Sequence, residues 1–364
     1  MGLTNADIGL MLLFYQAVSS ITQPFFGRLC ERYGGRLFAV GAIIWTALLF
    51  AGTLFAESKL VITTLIALAG LGSGAFHPQG TANSTLAGGS KLGATTTSLF
   101  FFGGTLGTAL LGSALGGLLI ANYGRVSLVS IAVLNIALAL LVVRRLVPRR
   151  LGAAAPGTAS DGREPAEQGR MVWLVLAVLL GAIALRALTQ QAIVTYVPKY
   201  QEDLGVSAAV YGSVNSLFLA AVAAGGVLGA YLADRLGIAR ILVLSLLLTA
   251  AALWGYVRLT GMGSYVSLVI AGLFLGPSHT LLLVTGQQRS PERMAVMSGV
   301  FLGFGFVSGA VGTWILGLLA DQAGLASTLA VLPFIALVNG LLALLAVARI
   351  RRPNPAAAEL ATGH

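Results

Sequence analysis

The chain has 364 residues, of which 57% are hydrophobic and only 9% are charged, and its formal net charge at pH 7 is +10. Soluble domains carry about 25% charged residues, so this composition excludes a water-soluble fold. The single cysteine, Cys30, excludes an internal disulfide and a cysteine-ligated metal cluster. The positive charge is typical of the basic cytoplasmic loops of membrane proteins, so no nucleic-acid partner is predicted.

Eleven apolar runs, each long enough to cross a bilayer as a helix, follow one another along the chain. They cover residues 8–29, 36–56, 60–83, 93–120, 125–147, 171–198, 209–233, 238–258, 264–287, 295–320 and 325–348. The pattern predicts an all-α multispanning membrane protein.

A polar stretch rich in Ala, Gly and Pro lies between the fifth and sixth runs and predicts a flexible linker over residues 148–170. The linker separates an N-terminal half-bundle of five helices (1–147) from a C-terminal half-bundle of six (171–348). A short tail, 349–364, follows.

Lys and Arg residues are distributed unequally between alternate ends of the predicted spans. Seventeen of the 22 lie on the side of the linker, four lie on the other side, and Arg186 lies inside a span. Basic residues concentrate in cytoplasmic loops, so the linker, the tail and the C-terminus are predicted to be cytoplasmic. No basic signal region precedes the first run.

The two halves repeat each other at offsets between 200 and 203 residues. At an offset of 203, Arg32 and Gly34 lie over Arg235 and Gly237. At an offset of 200, the fourth and fifth spans lie over the tenth and eleventh, with matching residues that include Phe101, Gly103, Gly112 and Gly117 over Phe301, Gly303, Gly312 and Gly317. Duplication of a half-bundle is typical of transporters whose halves rock about a central site.

Several segments resemble one known family. GRLCERYGGR, residues 27–36, resembles the major facilitator superfamily signature between family helices 2 and 3. GLGSGAFHPQG (70–80), GGTLGTALLG (103–112) and QQRSPERMAVMSGVFLGFGFVSGAVG (287–312) resemble the branch that contains fosmidomycin resistance proteins. The resemblance covers nearly the whole chain and implies a major facilitator-type fold of two pseudo-symmetric halves.

The sequence departs from the family pattern at several positions. Glu31 stands where the family usually has Asp, and Gly35 and Arg36 stand where two basic residues are usual. The proline of the family's antiporter signature is absent from the fifth family helix, and the fourth family helix has no arginine.

The resemblance and the repeat together predict one further helix. The offset of 203 places the first run, 8–29, over the seventh, 209–233, so the counterpart of the sixth run, 171–198, would precede Met1. We expect an in-frame apolar segment of about 20 residues upstream in the gene.

The resemblance implies a secondary transporter that works by rocker-switch alternating access, with proton-coupled efflux of a small anionic or amphiphilic drug or metabolite. Uptake or exchange of a small organic anion is the alternative, and a non-transporting membrane sensor is a third. No paired carboxylates, metal-spaced ligands or nucleophile motif indicate an enzyme, and no cofactor or metal is expected. The expected partners are the substrate, a coupling proton and the lipid bilayer, for a monomer in the bacterial inner membrane.

Two short loops are predicted to act as gates on the cytoplasmic side. A carboxylate in such a loop can face the positive end of a helix dipole. By pseudo-symmetry, Glu31 would lie near the tenth span with Arg289 and Arg293, and Asp234 would lie near the fourth span with Lys91. The alternative is that these charges only set the topology. The predicted gate residues are Gly27, Glu31, Arg32, Gly34 and Arg36 in the first loop and Asp234, Arg235 and Gly237 in the second.

Arg186 is the candidate anchor for an anionic substrate. It follows Met171 by fifteen residues, about 22 Å along a helix, and therefore lies deep in the bilayer. A charge at that depth costs at least about 2.5–3.5 kcal/mol and usually faces a cavity or a partner. Gln190 extends the polar stripe one turn further on. The alternative is a structural arginine bonded to helix carbonyls or to the additional helix.

Two histidines and a polar face of the first span complete the candidate site. His77 and His279 are equivalent in the repeat, and they either carry protons or stabilise the kinks of neighbouring prolines. Tyr15 and Ser19 mark a polar face of the first span that is predicted to line the cavity.

Gly104, Thr108, Gly112 and Gly116 recur at a spacing of four in the fourth span and form a ridge of small residues predicted to allow close helix packing. The repeat predicts a second copy of this ridge near Gly303 and Gly312 in the tenth span.

Overall fold

The computed structural model describes residues 3–147, 166–287 and 294–350, and this part of the chain is helical without a strand. Two π-helical segments, Thr108–Leu115 and Ala139–Val143, and a 3-10 turn, Arg125–Leu128, lie between α3 and α6. The α-helices are α1 (Asn5–Tyr33), α2 (Gly35–Thr53), α3 (Lys59–Gly107), α4 (Gly116–Tyr123), α5 (Val129–Leu138), α6 (Arg144–Leu146), α7 (Ala166–Asp203), α8 (Ala208–Leu236), α9 (Ile238–Arg258), α10 (Met262–Gln287), α11 (Met294–Ala323), α12 (Leu325–Leu329) and α13 (Leu332–Ile350).

The predicted all-α membrane fold is confirmed. Within the described residues, ten helical stretches are long and apolar enough to cross a membrane, against eleven predicted spans. The remaining predicted span, 8–29, lies in α1, whose polar residues, among them Gln16 and Gln23, lower its mean hydropathy. Helix α7 begins at Ala166, inside the predicted linker, while residues 148–165 lie outside the described residues.

The helical stretch α3 contains two spans that run in opposite directions. The rings of Phe76 and Phe100 stack with their centroids 6.0 Å apart. In a straight helix, these two residues would be separated by about 36 Å. The chain therefore folds back between them, as the separate predicted spans 60–83 and 93–120 require.

The internal repeat is visible in the backbone. Gly34 and Gly237, between α1 and α2 and between α8 and α9, have φ values of 92° and 95°. Gly124 and Gly324 form a second matched pair, at 76° and 81°. These φ values favour glycine because a Cβ atom makes them unfavourable for other residues.

Helix packing within the halves repeats as well. A Cβ atom added at Gly70 would lie 2.5 Å from the carbonyl oxygen of Tyr15, and one added at Gly272 would lie 2.6 Å from that of Phe218. Tyr15 and Phe218 are related by the offset of 203. Helix α3 therefore crosses α1 with the same close backbone contact by which α10 crosses α8.

The two halves contact each other through α1 with α11 and through α4 with α8. Cβ atoms added at Gly9 and Gly317 would each lie 2.6 Å from the opposite helix, at the Cα of Trp314 and the carbonyl oxygen of Asn5. Gly117, the counterpart of Gly317, abuts the backbone of Ala208 in the same way. These contacts lie where α1 and α8 begin and where α4 and α11 end, which we call the Asp321 end.

The opposite end of the bundle carries the Gly34 and Gly237 turns, and we call it the Gly34 end. Cβ atoms added at Gly27, Gly103 and Gly303, which lie toward this end, would meet no atom within 4 Å. Among the described glycines, the close contacts between the halves are therefore those at the Asp321 end.

Candidate functional site

Arg186 lies near the middle of α7 with only 8% of its surface exposed. Its Nη2 donates a hydrogen bond to Oε1 of Gln190, one turn later, at 2.5 Å. Its Nε is buried and has no hydrogen-bond partner. The intervening Thr189 donates to the carbonyl oxygen of Leu185 and leaves the guanidinium to Gln190. The hydrogen bond to Gln190 thus holds the guanidinium in one orientation, and its Nε–H is left without an acceptor.

A small cavity of about 40 Å³ adjoins Arg186. His279 of α10 is its other ionisable residue, and no carboxylate is found among its described lining residues. A buried cation without a counter-charge is costly, and an anion that enters the cavity would offset that cost. The apolar part of the lining includes Ile183, Leu283, Phe301, Leu302 and Phe306.

Phe306 connects this cavity to the first half. Its ring lies 6.2 Å, between centroids, from the ring of His77 in α3. His77 also contacts Phe76 at 6.3 Å. Phe306 therefore contacts His77 of the first half and also lines, with His279 and Arg186, the cavity of the second half.

A larger groove of about 530 Å³ lies in the first half. Tyr15 and His77 line it together with Ser73, Thr46 and Asn135, and most of the other lining residues are apolar. The Ser19 hydroxyl donates a hydrogen bond to Oγ of Ser73 at 2.9 Å. The structure thus places Tyr15 and His77 in a different cavity from Arg186. Ser19 is buried behind Ser73 and is not among the described lining residues of either cavity.

This groove corresponds by the repeat to the space that α7 fills in the second half. Leu246 and Thr249 of α9 are fully buried there, whereas their counterparts Ile43 and Thr46 line the groove. The additional helix stays a prediction, and the groove lies at the position where such a helix would pack.

The predicted gate loops are described only in part. The side chains of Glu31, Asp234 and Lys91, and all of Arg289 and Arg293, lie outside the described residues.

The described arginines of the gate loops stay within their own half. Arg32 lies 5.3 Å from the centroid of the Tyr33 ring, and Arg235 lies 4.4 Å from that of Tyr231. Arg36 Nε donates to the carbonyl oxygen of Val147 at 2.6 Å, so it caps the carboxyl end of the fifth span.

The predicted glycine ridge has unequal surroundings. A Cβ added at Gly312 would contact Leu188 of α7, whereas one added at Gly104 or Gly303 would meet nothing within 4 Å. One added at Gly116 would have ordinary contacts with Leu128 and Ile131, and one at Gly112 only with Thr108 of its own helix.

Two residues with functional potential, Phe306 and Asp321, were not predicted as site residues from the sequence. Phe306 gave no signal, because an aromatic residue in an apolar span is commonplace. Asp321 ends the tenth span, and a carboxylate there is compatible with a simple span boundary. Its counterpart at the offset of 200 is Ala121, and this difference within the repeat was the signal that could have found it.

Comparison with known proteins defines the class. The family model described as Major Facilitator Superfamily matches residues 1–313 and, in a second match, 179–363. The chain belongs to this superfamily and is a multi-pass membrane transporter rather than an enzyme.

Two curated relatives and two solved folds make the class more specific. The chain is 29% identical to the fosmidomycin resistance protein of Escherichia coli (strain K12), over 93% of this chain and 83% of that protein. It is 31% identical to the uncharacterized MFS-type transporter YfnC of Bacillus subtilis (strain 168), over 95% and 85%. An inward-facing bacterial homolog of the human lysosomal transporter Spinster shares the fold with a TM-score of 0.74 and 16% identity, over 95% of this chain and 90% of that one. The transporter FucP in its outward conformation gives 0.66 at 16% identity, over 95% and 91%.

Proposed function

We propose that the protein exports a small anionic or amphiphilic compound in exchange for protons, by alternating access of a monomer in the bacterial inner membrane. Membership of the superfamily supports transport, and the similarity to a protein named for fosmidomycin resistance supports efflux. The two halves, 1–147 and 171–348, are the proposed moving units.

The observation that carries the anionic substrate is the buried guanidinium of Arg186, with its unpartnered Nε beside a cavity. An oxyanion bound there would both satisfy this donor and offset the charge. Gln190 holds the guanidinium in place, and His279 and Phe306 form the nearest walls.

The proposed orientation places the Gly34 end in the cytoplasm, because the basic residues concentrate there. The close contacts between the halves at the Asp321 end then close the outer side, as export requires before a substrate enters from the cytoplasm. The gate loops around Gly34 and Gly237 would close the inner side in the other half of the cycle.

The proposed proton carriers are His77 and His279. Both lie inside spans and adjoin the Phe306 contact or the Arg186 cavity. The described acidic residues lie at helix ends or in loops, whereas His279 lines the Arg186 cavity and histidine titrates near neutral pH.

Transport in proteoliposomes tests this proposal. With an imposed pH gradient and fosmidomycin as the probe, we expect proton-driven flux that Arg186→Gln lowers at least about tenfold, because the buried anchor loses its charge. The matched control is Arg258→Gln, which removes an arginine that stacks on Trp254 at the end of α9. Normal flux in Arg186→Gln would overturn the anchor role.

The alternative, uptake or exchange of a small organic anion, has its own signature in the same assay. Exchange predicts flux that depends on an anion in the opposite compartment and does not depend on the pH gradient. A fucose:proton symporter has the same fold, so the fold does not determine the direction of transport.

A further inference from the structure

Asp321 connects the two halves at the Asp321 end. Its Oδ1 accepts hydrogen bonds from the backbone nitrogen of Asn5 at 2.8 Å and from Nδ2 of Asn5 at 3.0 Å. Its Oδ2 accepts one from the backbone nitrogen of Ala6 at 2.9 Å. A carboxylate at the end of α11 thus binds the first turn of α1, 315 residues earlier in the chain.

In the first turn of α1, two backbone N–H groups are bound by this carboxylate and not by acceptors of the helix itself. The first N–H groups of a helix have no partner within the helix and carry partial positive charge. In a capping box, the Thr4 N–H donates to Oδ2 of Asp7 at 3.0 Å and the Asp7 N–H donates to Oγ1 of Thr4 at 3.1 Å. The N–H groups of Asn5 and Ala6 remain, and these are the two that Asp321 binds.

The equivalent contact between the halves has no carboxylate. There, Ala121 takes the position of Asp321, and the contact is a neutral hydrogen bond from Nδ2 of Asn215 to Oγ of Ser113, at 2.9 Å. Ser207, at the start of α8, makes no capping hydrogen bond with its side chain. The charged contact is therefore specific to the pair of α1 and α11.

The contacts around Asp321 join the two halves of the bundle rather than residues of one half. Gly9 and Gly317 bring the backbones of α1 and α11 together beside it. The Tyr196 hydroxyl of α7 is buried at the same crossing, 2.8 Å from the carbonyl oxygen of Thr313 and 3.1 Å from that of Asn5. Separation of α1 from α11 at this end would break all the hydrogen bonds to Asp321 together.

We propose that Asp321 is a latch that holds the halves together at the Asp321 end, so that its charge sets the balance between the two states of the cycle. This inference rests on the alternating access proposed above. Only in the closed state does the carboxylate face the amino end of α1, so loss of its charge weakens the closed state alone. Asp321→Asn removes this charge and the Oδ2 acceptor of the Ala6 N–H group, and Asp321→Ala removes both acceptor oxygens. The balance then shifts toward the state that is open at the Asp321 end.

Distances between spin labels at both ends of the full-length protein in nanodiscs test the latch. One pair of labels replaces Val126 and Ala326 at the Asp321 end, and the other replaces Tyr33 and Leu236 at the Gly34 end, all exposed positions. Cys30 is replaced by Ser throughout. We expect Asp321→Asn to raise the ratio of long to short distances at the first pair on the order of tenfold, with the opposite change at the second pair.

The matched control is Asp203→Asn. Asp203 also lies at the Asp321 end, but it pairs with Lys199 of its own helix. Unchanged distances in Asp321→Asn, or an equal shift in Asp203→Asn, would overturn the latch. Asp321→Ala should shift the balance further, and if it does not fold, the isosteric Asn variant decides.

The same measurements separate the latch from the proposed export function. If the distances shift while fosmidomycin is not transported, the latch stands and the export function fails. If export depends on Arg186 but the distances do not respond to Asp321, only the latch fails.

Discussion

The two halves of the bundle share their helix crossings but differ in their centres. In the second half, α7 lies at the centre, and its residues Leu179 and Tyr196 are at most 1% exposed. In the first half, a groove of about 530 Å³ occupies the corresponding space. The glycine contacts at Gly70 and Gly272 are nevertheless alike. Close backbone contacts therefore form between pairs of helices, whereas the buried core of the second half forms around α7.

The distribution of the buried core shows the same difference. The two large buried clusters lie mainly in the second half, while the buried members of the cluster described in the first half are Met11, Ala56 and Ile62. Within the described residues, π-helical segments occur only in the first half, at Thr108–Leu115 and Ala139–Val143. The counterpart of the first of these in α11 is regular and packs against α7 through Gly309 and Gly312.

The largest expected effect tests the core directly. Leu246→Ala and Ile43→Ala each remove three carbon atoms at equivalent positions of α9 and α2. We expect Leu246→Ala to cost about 3 kcal/mol of unfolding free energy, because it leaves a cavity beside α7, and Ile43→Ala to cost less than about 1. Thermal unfolding in detergent measures both, and equal losses would show that the centres of the halves do not differ.

A smaller effect is expected at the repeated helix crossings. Gly272→Ala and Gly70→Ala both force a methyl group against a carbonyl oxygen, and we expect each to cost about 1–3 kcal/mol, with the larger loss at Gly272. The helices of the first half can shift into the groove, whereas α7 blocks such a shift in the second. Gly103→Ala, where space is open, is the control and should leave the unfolding temperature unchanged.

The smallest expected effect concerns an ion pair of the first half. Asp7 pairs with Lys59, whereas its counterpart at the offset of 203 is Val210. Burial raises the pKa of the Asp7 carboxyl, but the hydrogen bonds from Lys59 and Thr4 outweigh it, so the pKa lies below its ordinary value. Because the folded pKa is depressed, the pair stabilises the fold above the ordinary pKa, and this stability is lost as the pH falls through the folded pKa.

We therefore expect Asp7→Asn to lower the unfolding free energy by less than about 1 kcal/mol at pH 7, because Lys59 is largely exposed. The wild type and the variant should converge in acid. A difference that persists undiminished after the pH has fallen through the folded pKa of Asp7 would contradict the ion-pair explanation and would indicate a loss of the capping box with Thr4.

Part of the candidate site could be predicted from the sequence. Arg186 is a charge within an apolar run, and a local signal of this kind needs no knowledge of the fold. The likeness of His77 and His279 follows from the repeat. The contact of Phe306 with His77 does not, because it joins α3 and α11 across the two halves. Gln190 was predicted beside Arg186 because positions i and i+4 meet on any helix.

The sequence by itself determined the membrane class, the predicted spans, the two repeated halves and the glycines at their turns. These properties depend on hydropathy and backbone preference, which act over a few residues. Only the tertiary structure decided that the halves meet at the Asp321 end and that Asp321 binds the first turn of α1. It also decided that the first half has a groove at the position that α7 fills in the second half. Such contacts join residues hundreds of positions apart, and they depend on how whole helices are placed, which local composition does not specify.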